Sequence, residues 1–203
     1  MAHRLLYLVR HGESTADPDA GPDAGSLTDL GRQQAELLAE RLRHVPFAAI
    51  HHSPWERAAQ TAGVIAARFP GVPVHPSDLL RECVPVVPPA DRLTAGQVSW
   101  FEELSADLVV EGAAQAEAVV ARFAGLEGEG QHELLVTHGN LINWFVCRTL
   151  DAPSWAWMRM LDYNCALTVI MYLDDRVKVI TYNDTGHLPP ALRGTDYPPE
   201  ARI

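Results

Sequence analysis

The sequence has few cysteines, a deficit of basic residues and no long apolar run. Three of its 203 residues are cysteine, and they lie far apart without the spacing of a metal-binding or redox motif. We therefore expect reduced, buried thiols and a cytoplasmic protein. The 16 Lys and Arg against 26 Asp and Glu residues give a formal net charge of -10. This balance argues against nucleic-acid binding, which needs clustered cations.

The apolar segments are too short for a membrane protein. The N-terminal run at 4–9 is shorter than the apolar region of a signal peptide. No run approaches the ~18 apolar residues that a membrane-spanning helix requires. The sequence thus predicts a protein without a membrane partner.

Short apolar strands alternate with amphipathic helices along the chain. Buried strands are predicted at 4–9, 47–53 and 133–140, each followed by a helical pattern. This alternation predicts an α/β three-layer sandwich, with a mostly parallel central sheet and helices on both faces. Two further strands at 166–173 and 177–183, joined by a short turn, are expected to add an antiparallel edge.

Chemically reactive side chains follow the three buried strands. Arg10 and His11 follow the first strand, Arg57 lies shortly after the second, and His138 and Gly139 follow the third. Ligands of such sheets bind beyond the carboxyl ends of the strands. We therefore expect these side chains to meet at one edge of the sheet.

Two arginines and two histidines at one site suit phosphoryl transfer. Guanidinium groups bind phosphate oxygens bidentately, and a neutral imidazole can attack phosphorus. A second imidazole, preferably cationic, can stabilise the charge on the phosphoryl oxygens. A carboxyl group such as that of Glu82 can protonate the leaving alkoxide and later activate water. No metal or other cofactor is expected, because the arginines supply the positive charge.

Five motifs, in order, resemble the histidine phosphatase superfamily, whose fold is phosphoglycerate-mutase-like. They are LVRHGES (8–14), LTDLGRQQA (27–35), HSPWERAAQTA (52–62), LLRE (79–82) and VTHGN (136–140). Three further segments are similar to the branch that contains the mitochondrial serine/threonine protein phosphatase. These are DLLRECVPVVPP (78–89), CRTL (147–150) and NDTGHLPP (183–190).

The resemblance implies a role for each matching residue. His11 would be the phosphorylated nucleophile, Glu82 the proton donor and acceptor, and His138 the second catalytic imidazole. The substrate phosphate would be bound by Arg10, Arg57, His138, Gly139 and Asn140. Asp17 stands where the family often has a phosphate-contacting Asn, and we leave it out of the site because a carboxylate would repel phosphate.

The resemblance further implies a metal-independent phosphatase that hydrolyses phosphomonoesters through a phosphohistidine. The stretch after Glu82 is apolar and rich in proline, and lacks the positive charge of a mutase. This favours hydrolysis over phosphoglycerate mutase-type transfer, which remains an alternative, as does a non-catalytic phosphoprotein-binding module. The substrate is open between a small phosphorylated metabolite and a phosphoprotein. Pairing of the C-terminal strands into a homodimer is also open.

The domain organisation expected from these motifs is simple. Residues 1–203 would form a single histidine phosphatase domain, since the motifs run through nearly the whole chain. An irregular, proline-containing insertion is expected around 83–112, over the active site. Substrate specificity would then depend on this insertion and on the tail after Tyr182.

Overall fold

The computed structural model describes residues 2–15, 24–128 and 130–202. Asp17, whose role the sequence left open, lies outside these ranges. The strands are β1 (His3–Arg10), β2 (Ala49–His52), β3 (Val74–Pro76), β4 (His132–Thr137), β5 (Leu167–Leu173) and β6 (Val177–Asp184). The α-helices are α1 (Asp29–Leu42), α2 (Glu56–Ala66), α3 (Ala95–Glu103), α4 (Ala106–Phe123) and α5 (Gly139–Thr149).

The described strands form one sheet in the order β3-β2-β4-β1-β5-β6. The four strands from β3 to β1 are mutually parallel, whereas β5 and β6 are antiparallel additions. The predicted mixed sheet with an antiparallel edge is therefore confirmed. Strand β4 lies between β1 and β2, so the carboxyl ends of all three meet at the same edge.

Alternation of side chains along β1 builds the two interfaces of the sandwich. Tyr7 and Val9 pack with α1 and α2 on one face. Leu6 and Leu8 pack with α4 and α5 on the other face. Burial on both faces explains why this strand is an almost continuous apolar run. The predicted three-layer α/β architecture is confirmed.

Helix α1 is fixed against the loop that follows β1. The Thr28 hydroxyl caps the helix by accepting a hydrogen bond from the Gly31 N–H at 3.0 Å. A Cβ atom at Gly31 would collide with the carbonyl oxygen of Glu13. Only glycine therefore allows this close approach of helix and loop, which positions the segment directly after His11.

The segment 83–112 is not irregular throughout, which corrects the sequence-based expectation. It contains α3 and the first part of α4. Thr94 and Gln97 form a reciprocal capping box at the start of α3. The buried ring of Phe101 then anchors this helix in a small apolar cluster with Trp144 and Trp157. None of the described helices combines the length and apolarity needed to cross a membrane.

Candidate active site

The ends of β1, β2 and β4 bring two histidines together. The N–H of His11 donates to the Thr137 carbonyl at 3.0 Å, and the N–H of Ser53 donates to the Val136 carbonyl at 2.9 Å. These bonds extend the parallel pairing of the strands beyond their last residues. As a result, the ring centroids of His11 and His138 lie 5.2 Å apart, in an edge-to-face arrangement.

His11 is held as a neutral imidazole whose lone pair is on Nε2. Only 7 % of the residue is exposed. Its Nδ1 is 2.8 Å from the Gly12 carbonyl, and because a carbonyl can only accept, Nδ1 carries the proton. Burial, with the charges of Arg10 and Arg57, lowers the pKa of His11 to about 3. The ring is thus neutral across the physiological pH range, and Nε2 has the lone pair that a nucleophile needs.

His138 is also neutral in the absence of a bound anion. It is 1 % exposed, its Nε2 shares a 2.9 Å hydrogen bond with the Ser53 hydroxyl, and its ring packs on Trp55. Burial, followed by the neighbouring His11 and Arg57, lowers the pKa of His138 well below its usual value. The cationic state preferred on sequence grounds is therefore not the resting state. A bound phosphate would raise this pKa, because its negative charge favours the imidazolium.

Arg57 approaches His11 from the first turn of α2. Its Nε donates to Nε2 of His11 at 3.2 Å, and its Nη1 donates to the Ala24 carbonyl at 2.9 Å. The guanidinium lies over the ring of Trp55, 4.7 Å from the centroid. This arrangement places a fixed cation directly against the proposed nucleophilic nitrogen.

Arg10 lies on the other side of the site and is paired with the C-terminal tail. Its Nη2 forms an ion pair with Asp196 at 2.8 Å, and its Nη1 donates to the main-chain carbonyl of Asp162. The ring of Tyr197 lies 5.8 Å from the guanidinium carbon. A carboxylate therefore contacts the cation that the sequence predicts for phosphate binding.

Glu82 reaches the same site from the segment after β3. The carbonyl of Leu80, in the turn before it, accepts from the Thr137 hydroxyl at 2.7 Å. The carbonyl of Cys83, directly after it, accepts from the Asn140 side chain at 3.1 Å. Oε1 of Glu82 is buried and unpaired among the described residues. Burial raises the pKa of this carboxyl to about 7, against the opposing attraction of Arg10.

Helix α5 directs its first turn toward the site. It begins at Gly139, and its N-cap residue His138 makes no side-chain capping bond. The first amide groups of such a helix are donors suited to an anion. A Cβ atom at Gly139 would make only ordinary contacts with Arg10 and Asp162, so its small size is not sterically required here. Asn140 is occupied with the Cys83 carbonyl and positions the segment of Glu82.

The structure thus brings together every residue that the sequence analysis selected for the site. Sequence reasoning missed four further residues that lie at the site, which are Trp55, Asp162, Asp196 and Tyr197.

Asp162 is 2 % exposed, and both of its carboxyl oxygens are unpaired among the described residues. Burial raises its pKa to about 8, so this carboxyl is mostly protonated at neutral pH. It lies in a stretch without a recognisable catalytic pattern, and no sequence signal marked it.

Comparison with known proteins finds a matching family model and similar curated proteins. The family model described as "Histidine phosphatase superfamily (branch 1)" matches residues 6–85 and 109–185. The serine/threonine-protein phosphatase Pgam5, mitochondrial, of Caenorhabditis briggsae is 33 % identical over 196 residues, which cover 93 % of this chain and 66 % of that protein. The chain therefore spans just under two thirds of the length of that relative. The mitochondrial name of this relative contradicts the expected cytoplasmic location, which rested only on cysteine usage and on the shortness of the apolar runs.

Solved structures show the same fold in enzymes of different activity. The α-ribazole phosphatase of Shigella flexneri superposes with a TM-score of 0.70 at 22 % identity, covering 89 % of this chain and 96 % of that one. A phosphoglycerate mutase of Bacillus anthracis superposes with a TM-score of 0.68 at 17 % identity, covering 92 % and 95 %. The fold is therefore common to a phosphatase and a mutase and does not by itself separate the two activities.

Proposed function

The chain belongs to the histidine phosphatase superfamily (branch 1), and on this basis we propose that it is a metal-independent phosphatase acting on phosphomonoesters through a phosphohistidine at His11. The observation that carries the proposal is the state of the His11 ring. Its Nδ1 is committed to the Gly12 carbonyl, and its Nε2 faces the Arg57 guanidinium. This nitrogen therefore has a lone pair for attack on phosphorus, which accepts the Arg57 hydrogen bond in the free protein, and an adjacent cation to bind the phosphoryl oxygens.

In the first step, Nε2 of His11 attacks phosphorus while the bond from phosphorus to the ester oxygen breaks. The guanidinium groups of Arg10 and Arg57 bind the phosphoryl oxygens, and an N–H of His138 stabilises their charge. The protonated Glu82 transfers its proton to the departing alkoxide. Because Arg57 donates to Nε2 in the free protein, the incoming phosphoryl group must displace that hydrogen bond.

In the second step, water attacks the phosphohistidine. Glu82, now a carboxylate, accepts a proton from this water as the phosphorus–nitrogen bond breaks. Inorganic phosphate leaves, and both His11 and Glu82 return to their starting protonation states. The pKa of about 7 suits Glu82 to both roles, since neither form is strongly disfavoured near neutrality.

The substrate is a phosphorylated small molecule or a phosphoprotein. The Caenorhabditis briggsae relative is named a serine/threonine-protein phosphatase, which supports the protein substrate. The Shigella flexneri neighbour is named for a small-molecule substrate, although its low identity restricts that comparison to the fold.

A rapid-quench experiment with radiolabelled phenyl phosphate tests the mechanism. The wild-type protein is expected to carry acid-labile, alkali-stable label during turnover, with or without EDTA. His11→Ala is expected to carry none, and Glu102→Gln, a change at an exposed residue of α3, serves as a folded control that retains the nucleophile. Absence of label on the wild-type protein during measurable turnover would exclude the covalent route.

Product analysis from 3-phosphoglycerate separates hydrolysis from mutase-type transfer. The proposal expects release of inorganic phosphate in excess over isomerised phosphoglycerate. A binding module without turnover would release no phosphate from either this compound or phenyl phosphate.

A further inference from the structure

A groove of about 1000 Å³ extends outward from Glu82 and Asn140. One wall is the start of α2 with Trp55 and Glu56, and the other is formed by α3 and α4. Because Glu82 is the proposed proton donor to the leaving oxygen, the alcohol part of a substrate must extend toward this groove. Its volume is at the upper end for small-molecule sites. It is far larger than the space that a three-carbon acid, such as the glycerate part of phosphoglycerate, would fill.

The wall formed by α3 and α4 presents apolar side chains to this groove. Trp100 is 44 % exposed and Leu108 is 58 % exposed, and Leu104 lies between them along the chain. Large apolar side chains grouped in a concave surface beside a reactive site are typical of ligand contact. The buried Phe101 holds the first of these helices in place, so this wall is anchored to the domain.

The charged side chains of the groove are mainly acidic. Glu56 and Glu111 line it, beside Glu82, whose proposed role as proton donor requires its protonated form. Arg81 is the cation among the described lining residues, and its charge is paired with Asp78 at 2.7 Å. A second anionic group on the alcohol part would therefore meet carboxylates rather than a free cation.

We infer that this groove binds the alcohol part of the substrate and selects a large, apolar phosphomonoester without a second anionic group. Trp100 and Leu108 supply the apolar contact, and Glu111 disfavours anionic alcohols. The inference rests on the proposed phosphatase activity and adds the substrate class to it. It assigns specificity to residues that lie outside the phosphate pocket.

The apolar contact is tested with a pair of substrates of similar leaving-group acidity, phenyl phosphate and 2-naphthyl phosphate. The wild-type protein is expected to have a higher kcat/KM for the naphthyl ester. Trp100→Ala and Leu108→Ala should each reduce this preference by roughly fivefold to tenfold through KM, since each removes a large part of an apolar contact. Val110→Ala, a residue 68 % exposed on α4 but outside the groove lining, is the matched control and should not change the preference.

The charge effect is tested with 3-phosphoglycerate. Glu111→Lys is expected to raise kcat/KM for this anionic ester by about fivefold, the scale of one exposed charge pair. Its kcat/KM for phenyl phosphate should stay within twofold of wild type. Glu111→Gln should give an intermediate increase. No change in either variant would overturn the assignment of Glu111.

Two phosphoserine peptides of equal length test whether the groove applies the same selection to a protein substrate. One carries leucines beside the phosphoserine and the other carries aspartates, and the leucine peptide should be hydrolysed faster. A faster aspartate peptide would contradict the inference, as would an unchanged naphthyl preference in both wall variants. If phenyl phosphate itself is not hydrolysed, the proposed phosphatase function fails, which is distinguishable from failure of the groove.

Discussion

The pH dependence of kcat/KM reports on Glu82 of the free protein, whose carboxyl group is placed for proton transfer and has its Oε1 buried. Burial raises its pKa from 4.5 to about 7. A pKa shift of this size raises the free energy of deprotonation by about 3 kcal/mol relative to an exposed glutamate. Desolvation therefore outweighs the attraction of Arg10, which acts in the opposite direction.

The direction of the expected pH effect follows from the proposed role of Glu82 as the general acid. Below about pH 7 the carboxyl is protonated and can donate to a leaving alkoxide, and above it the donor is lost. For a simple alkyl phosphate, kcat/KM should therefore fall as pH rises through about 7, because kcat/KM reports the free protein and the first chemical step, in which Glu82 is the acid. A glutamate with its ordinary pKa would place this fall below pH 5.

Glu82→Gln removes the titrating group at almost constant shape. We expect kcat for an alkyl phosphate to drop by about 10²-fold to 10⁴-fold, the usual contribution of a positioned acid or base. The descending limb near pH 7 should disappear. The loss should be smaller for 4-nitrophenyl phosphate, because nitrophenolate leaves without protonation. Steady-state kcat and kcat/KM between pH 5 and pH 9 measure all three effects.

Glu102→Gln is the matched control, because that glutamate is exposed on α3 and does not line the groove. Its pH profile should match the wild type. The reasoning is refuted if Glu82→Gln keeps the same descending limb, or if wild-type kcat/KM for the alkyl ester is flat across the range.

Three further predictions concern other parts of the molecule. Glu133→Gln should lower the free energy of unfolding by about 3–5 kcal/mol, because it leaves the 1 % exposed Arg4 without its 2.9 Å ion pair. Urea unfolding measures this loss, and an unchanged midpoint would contradict it. Asp196→Asn should tighten inhibition by inorganic phosphate by about fivefold, because it removes a carboxylate that competes for Arg10; weaker inhibition would instead show that Asp196 orients the guanidinium. Gly31→Ala should destabilise the protein by about 1–3 kcal/mol in the same urea assay, because its methyl group collides with a carbonyl oxygen of the loop after β1.

The layers of the fold were predictable because their signals are local. Apolar runs at β1 and β4, each ended by His-Gly, mark buried parallel strands, and the helices between them show ordinary periodicity. Helix α3 was missed although its capping box, Thr94 and Gln97, is present in the sequence. The prolines and the glycine around this segment favoured an irregular prediction. The helix is stabilised by the burial of Phe101 in the tertiary structure, which the sequence does not show.

The sequence by itself determined which reactive side chains the chain carries and the strand ends from which they project. Because parallel strands share one carboxyl edge, that information was enough to predict the meeting of Arg10, His11, Arg57 and His138. Only the tertiary structure decided their chemical state. The neutrality of His138 and the raised pKa of Glu82 follow from desolvation, and the ion pair of Arg10 joins residues at opposite ends of the chain. These properties depend on distances and on water exclusion, which no local pattern of residues encodes.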